Sequence, residues 1–227
     1  MSGKLYGVGV GPGDPELITL KALRIMKECD YIAIPSDKKE RCLAYTIAEG
    51  AFPEIIDKPV IFVNMPMTKS ETELTQAHRA ACDNLATYLN QGYNIAFLTL
   101  GDPTVYSTYL YLHQLLIKDH FDCEIVNGIP SFCAAAAAIN EGLVEKDQPL
   151  HLIPASYALD SLLDLPGTKV LMKSGRQLSS VRNALIHKNL ISKMVTNCGM
   201  DNQEVYSCIE DFPEQSSYYS LIIAKDL

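Results

Sequence analysis

Apolar positions along this chain fall into two alternating patterns: short runs that read as strands, and longer stretches spaced at three and four. Leu5 to Gly9 reads as a strand, and Ile18, Ala22, Ile25, Met26 and Cys29 then line one face of a helix. Tyr31 to Ile34 is a second strand. Leu74, Ala77, Ala81, Leu85, Tyr88 and Leu89 stay in helical register until Gln91-Gly92, and Tyr93 to Leu100 is an apolar run suited to a strand buried on both faces. A helix over Tyr106 to Ile117 follows.

The polar stretch KDHFD at Lys118 to Asp122 predicts a boundary, giving domains 1–118 and 119–227. Beyond it come a strand at Cys123 to Val126, an alanine-rich helix from Ser131, and strands at Leu150 to Ile153 and Lys169 to Met172. A helix over Leu178 to Lys188 precedes a strand at Lys193 to Asn197, then β-rich segments at Gln203 to Cys208 and Tyr218 to Ala224. The expected fold is α/β, in two α/β lobes with an interlobe cleft, where ligands would meet the carboxyl ends of strands.

The stretch GVGVGPGDPELITLKALR, residues 7 to 24, looks at first like a phosphate loop. It lacks the lysine and hydroxyl of a Walker loop, and Gly7, Gly9, Gly11 and Gly13 alternate where a dinucleotide fingerprint needs Gly-x-Gly-x-x-Gly. Asp14 and Glu16 also stand where a phosphate would sit. The glycines therefore serve close backbone approach or unusual torsions, or form a tight turn between strand and helix.

Composition narrows the picture further. The net charge of -8 argues against a nucleic-acid partner, which needs a basic face. No apolar run is long enough for a membrane helix, and the start of the chain lacks the pattern of a signal peptide. Seven cysteines include no Cys-x-x-Cys pair, and five histidines no His-x-x-x-His; small buried hydrophobes in a reducing cytosol are expected, with no protein-bound metal.

Two further stretches repeat one logic of strand, glycine and polar turn. In LTLGDPTVYSTY, residues 98 to 109, Asp102-Pro103 reads as a helix start, with Gly101 before it and the hydroxyls of Tyr106, Ser107 and Thr108 after it. In NGIPSFCAAAA, residues 127 to 137, Gly128 turns the chain and Ser131 caps the next helix.

Taken together and in this order, the three stretches resemble the tetrapyrrole methylase family, over essentially the whole chain. The resemblance implies the class III methyltransferase fold, S-adenosylmethionine as methyl donor and a tetrapyrrole acceptor. GPGDPELITLKA, the MPMT of Met65 to Thr68 and GDPTVYST are similar to the members that methylate C20 of precorrin-2 or cobalt-factor II. It implies cofactor contacts at Pro12, Leu100, Gly101, Asp102, Val105, Ser131, Phe132, Met172 and Cys198; many relatives have threonine-alanine at 131–132 and glycine at 198. Catalytic candidates are Asp102 and Tyr106, as base or hydrogen-bonding group, with a pure positioning role equally open. Arg176, Met67 and Ser107 are substrate candidates, and Lys38, Lys39 and Arg41 form a second basic group. A cytoplasmic homodimer is expected on resemblance alone. Two alternatives stay open: methylation of another ring carbon, rRNA ribose or diphthamide, and a non-catalytic nucleotide-binding α/β module.

Overall fold

A computed structural model describes residues 2–66, 68, 70–154 and 159–226, with Asp160 and Arg176 described in their backbone only. The chain divides into two compact units, Met1–Pro130 and Ser131–Leu227.

The first unit opens with β1 (Lys4–Gly9), α1 (Leu20–Glu28), β2 (Tyr31–Ile34), α2 (Leu43–Ala51) and β3 (Val60–Phe62). It continues with α3 (Glu71–Leu89), β4 (Ile95–Thr99), α4 (Tyr109–Lys118) and β5 (Asp122–Val126). The strands form one parallel sheet in the order β3-β2-β4-β1-β5. Val8, Ile32, Ile34, Ala96 and Leu98 face α1 and α2, while Leu5, Ala33, Ile95 and Phe97 face α3 and α4. That two-sided burial explains why β4 is buried at all five positions and apolar at its first four, Thr99 at its end sharing a hydrogen bond with Ser107. Connections leaving β1 and β2 run toward one edge of the sheet, and those leaving β3 and β4 run toward the other. Right-handed crossovers then put the two helix pairs on opposite faces. Neighbouring strands β1 and β4 thus flank a topological switch point, where α/β sheets place ligands beyond the carboxyl ends.

The second unit comprises α5 (Ser131–Ala138), β6 (Leu150–Pro154), α6 (Asp160–Leu163), β7 (Thr168–Met172), α7 (Leu178–His187), β8 (Ile191–Thr196), β9 (Glu204–Tyr206) and β10 (Ser220–Lys225). Its sheet is mixed, in the order β6-β7-β10-β8-β9, with β10 antiparallel to both β7 and β8. One face packs on α7 through Leu171, Met194 and Ile222; the other packs on α5 through Val170, Val195 and Leu221.

Three expectations need correcting. The division falls at 130/131 and not at 118/119, because the strand after the polar stretch pairs with β1 and completes the first sheet. The helix after Asp102 begins at Tyr109 and not Tyr106, since Tyr106 holds a left-handed φ of 49° that no right-handed helix accepts. The cysteines are all free, but only Cys29, Cys42 and Cys82 are buried, while Cys133 is exposed. Burial pushes the Cys29 thiol up to about 12 and that of Cys82 to about 11, so the interior thiols stay protonated.

Candidate functional site

The glycine stretch owes its spacing to the two faces of β1. Val8 and Val10 are fully buried on the α1–α2 side. Gly7 and Gly9 lie on the other side, where backbone and rings come too close for side chains, while Gly11, past the end of β1, holds a left-handed φ of 78°. A Cβ on Gly7 would stand 2.0 Å from the Tyr109 ring, and one on Gly9 would stand 2.6 Å from both the Gly101 carbonyl oxygen and the Gly128 nitrogen. A Cβ on Gly128 would approach that same Gly101 oxygen at 2.2 Å. Three chain segments from the ends of β1, β4 and β5 therefore meet through glycine backbone, with the Pro103 ring beside them.

Above this crossing the loops are clasped. Gly101 N donates to Gly11 O at 2.7 Å and Gly11 N donates back to Gly101 O at 3.3 Å, forming an isolated antiparallel bridge. Asp14 is spent locally: its Oδ1 accepts from Glu16 N at 2.8 Å, capping the short turn Pro15–Leu17. A carboxylate with a local capping duty, with the exposed Glu16 beside it, fits a loop that shapes a wall, and not one that grips phosphate.

Asp102, only 5% exposed, joins the next loop to the one after β5. Its Oδ1 accepts from Thr104 N at 2.7 Å and from the Thr104 hydroxyl. Its Oδ2 accepts from Asn127 Nδ2 and from Gly128 N, both at 3.1 Å. Burial works to raise the carboxyl, and these four hydrogen bonds outweigh it, holding Asp102 below the usual aspartate range. The side chain caps its own turn and not α4, whose N-cap residue is Thr108.

Of the other residues expected in this unit, Pro12 is buried, and Leu100 and Val105 are half-buried apolar side chains bracketing Gly101 and Asp102. Tyr106 is 48% exposed. Ser107 is committed inward: its hydroxyl shares a hydrogen bond with Thr99 Oγ1 at 2.9 Å and accepts from Tyr109 N at 3.2 Å. Met67 lies outside the described residues. Lys39 donates to Ile56 O at 3.3 Å and Arg41 pairs with Asp37 at 3.1 Å.

In the second unit Phe132, Met172 and Cys198 are half-buried on one hydrophobic cluster with Ala135, Val170 and Val195. Met172 ends β7 and Cys198 follows β8, so both leave the sheet at the same end. Lys173 and Asn197, beside them, both hold left-handed backbone, φ 61° and 48°. Such torsions are tolerated where surrounding structure imposes them, and they cluster at binding sites. Ser131 opens α5, and the backbone of Arg176 lies in the 3-10 turn Gly175–Gln177. Sequence reasoning missed Asn127 and Thr104; both sit inside quoted motifs, but nothing local marks them as partners of Asp102.

The chain matches the model of the Tetrapyrrole (Corrin/Porphyrin) Methylases over residues 4–211. It belongs to that family. The chain is 35% identical to a probable cobalt-precorrin-2 C(20)-methyltransferase of Methanocaldococcus jannaschii, covering 98% of this chain and 96% of the relative. It is 29% identical to the precorrin-2 C(20)-methyltransferase of a Sinorhizobium species, covering 97% and 94%. Among solved structures, the uroporphyrin-III C-methyltransferase of Thermus thermophilus in complex with S-adenosylhomocysteine shares the fold at a TM-score of 0.73. That match is 20% identical and covers 99% of this chain and 98% of the other. Among the described residues no helix is long and apolar enough to cross a membrane, and no three His, Cys, Asp or Glu side chains are grouped to hold a metal ion.

Proposed function

We propose that this member of the family is the S-adenosylmethionine-dependent methyltransferase that methylates C20 of precorrin-2 or cobalt-factor II in cobalamin biosynthesis. The observation that carries this reading is the similarity, along nearly the whole of both chains, to the archaeal relative named for that reaction. S-adenosylmethionine supplies a methyl group already activated on a sulfonium, so the protein's task is to bind, orient and exclude water. Holding donor and acceptor in line can supply ~7–11 kcal/mol of the barrier.

The residues fit that task. Leu100 and Val105 in the first unit, and Phe132, Met172 and Cys198 in the second, offer half-buried apolar surface. Such surface suits an adenosyl group and keeps water from a sulfonium whose charge disperses during transfer. Pro12, Gly101 and Ser131 would contribute main-chain contacts. For Asp102 the proposed role is positioning: a carboxylate saturated with hydrogen bonds and held below its ordinary range is a poor base. Tyr106 would face the tetrapyrrole, whereas the Ser107 hydroxyl, bonded to Thr99 and Tyr109, would act by holding the turn that carries Tyr106; Met67 and Arg176 are kept as substrate candidates on the family resemblance alone. The sulfonium needs no metal to leave, so no resident metal is proposed. A cytoplasmic homodimer, without nucleic-acid or membrane partners, completes the reading; light scattering showing single-chain mass at micromolar concentration would overturn the dimer.

The deciding experiment incubates the protein anaerobically with S-adenosylmethionine carrying a 13C-methyl group and either metal-free precorrin-2 or cobalt-factor II. The expected product gains one labelled methyl, and its resonance assigns to C20. Label at another ring carbon, or no transfer to either acceptor, would overturn the assignment.

A further inference from the structure

Asn127 stands where the three loops at the carboxyl edge of the first sheet meet. Its Nδ2 donates to Asp102 Oδ2 at 3.1 Å, in the loop after β4. Its main-chain oxygen accepts from Thr19 Oγ1 at 3.2 Å, in the loop after β1, and that same hydroxyl caps α1 by accepting from Ala22 N at 3.1 Å. The next residue, Gly128, gives its amide to the same Asp102 oxygen. One asparagine thus links the helix cap beyond the glycine loop, the loop after β5 and the buried carboxylate of the loop carrying Leu100, Gly101 and Val105.

From this geometry we infer that Asn127 is a positioning residue for the methyl donor, setting the Leu100–Val105 loop through Asp102 without touching the ligand itself. The inference rests on the proposal that this loop contacts S-adenosylmethionine. The argument is one of saturation. Asp102 has two oxygens and four donors, so removing one donor frees an acceptor on a buried anion, and the loop must shift to rewet it. Thr104 cannot compensate, because both its donors already serve the other oxygen. Gly128 cannot either, since its backbone is pinned against Gly9 and Gly101.

The charge environment makes the idea separable from ordinary destabilisation. The groups bonded to Asp102 (Thr104, Asn127 and Gly128) are uncharged. On the neighbouring loop after β1, Asp14 is bound to its own turn, and Glu16 beside it is exposed. Asn127→Asp would therefore place a second carboxylate about 3 Å from the first with no cation to offset it, and such a pair shares one proton. In that variant, donor affinity becomes dependent on the protonation of the pair.

The test measures S-adenosylhomocysteine affinity by calorimetry between pH 5 and 8 for wild type, Asn127→Ala, Asn127→Asp, Val105→Arg and Asp226→Asn. Wild type should be nearly flat with pH. Asn127→Ala should bind about ten- to hundredfold more weakly at every pH, as for loss of one hydrogen bond to a charged group. Asn127→Asp should bind at least tenfold more weakly at pH 8 and recover toward wild type at pH 5. In turnover, KM for the donor should rise with kcat little changed. Asp226→Asn, in the second unit, controls for lost stability and should lower the melting point with affinity unaltered. Val105→Arg tests the site itself: unimpaired binding there would refute the proposed contact loop, whatever Asn127 does. Wild-type affinity at all pH values in both Asn127 variants, with Val105→Arg impaired, would overturn the inference while leaving the site standing. Should Asn127→Asp fail to fold at pH 8, wild-type affinity in Asn127→Ala would suffice to overturn it.

Discussion

Gly11 and Gly101 are joined by two reciprocal main-chain hydrogen bonds, at 2.7 and 3.3 Å, and both hold left-handed backbone, φ 78° and 69°. The pair clasps the loops on either side of the switch point between β1 and β4. A left-handed φ costs any residue with a Cβ about 1–2 kcal/mol, so the clasp favours glycine whether or not a ligand approaches.

Replacing Gly101 with valine should therefore cost stability and binding together. The backbone alone contributes about 1–2 kcal/mol, lowering the melting point by about 2–8 °C in a chain of this size. Affinity for S-adenosylhomocysteine should fall in the same variant. A valine variant that melts with wild type would show that the torsion is not the constraint. Paired thermal scans and calorimetry decide.

Gly7 and Tyr109 should behave as one unit. Gly7→Ala forces a methyl group into the Tyr109 ring, an overpacking expected to cost about 1–3 kcal/mol. Tyr109→Leu empties a fully buried site and removes the hydroxyl's contact with His113. The double variant should be more stable than the sum of the single effects predicts, by about 1 kcal/mol or more. Simple additivity in urea titrations would contradict the contact.

Asp102 predicts a pH dependence with a fixed sign. Its folded carboxyl lies below the ordinary value, so the stability it contributes is present above the unfolded pKa of about 3.9 and is lost as pH falls through the folded value. Asp102→Asn turns an acceptor into a donor facing the donors of Asn127 and Gly128. A loss of about 1–3 kcal/mol is expected at pH 7, shrinking below pH 4. Urea titrations at pH 7 and 3.5 that give an equal or larger loss at the lower pH would count against this role.

In the second unit, Lys169 is fully buried inside β7 and pairs with Asp226, which also accepts from Gly167 N at 2.7 Å. The Lys169 hydrogen bond leads in holding the Asp226 carboxyl below its usual range, so this contribution too is lost in acid. Asp226→Asn leaves a buried ammonium without its counter-charge, which should cost about 3 kcal/mol at most, discounted because Asp226 is half exposed. Adding Lys169→Met should recover much of that loss, because the methionine fills the site without a charge. A double variant less stable than Asp226→Asn alone, by thermal melt, would refute the pairing argument.

The sequence by itself determined most of the framework. Strands at residues 5–9, 31–34, 123–126 and 169–172 and the long helix through Leu85 and Leu89 emerge where the hydrophobic pattern places them. The apolar face of a strand or helix is written in its own residues. Failure of the phosphate-loop tests was equally local, because those tests concern residues adjacent in the chain. The short strand β3 and helix α2 are absent from the sequence reading: three residues carry too little period, and α2 spans only nine residues with Gly50 inside its last turn, a weak helix signal.

Tertiary structure decided what the motif residues do. Gly9 and Gly128 are small because their backbones cross the Gly101 carbonyl, a fact that no spacing within one segment can encode. Asp102 reads as a helix cap from its neighbours Gly101 and Pro103, yet two of its partners come from the loop after β5. The boundary moved for the same reason: a polar stretch marks a turn in any α/β chain, and only the pairing of β5 with β1 assigns the next strand to the first sheet. Periodicity reports which face of an element is buried. It cannot report which distant segment covers that face, because that contact is selected by packing and hydrogen bonding once the chain has folded.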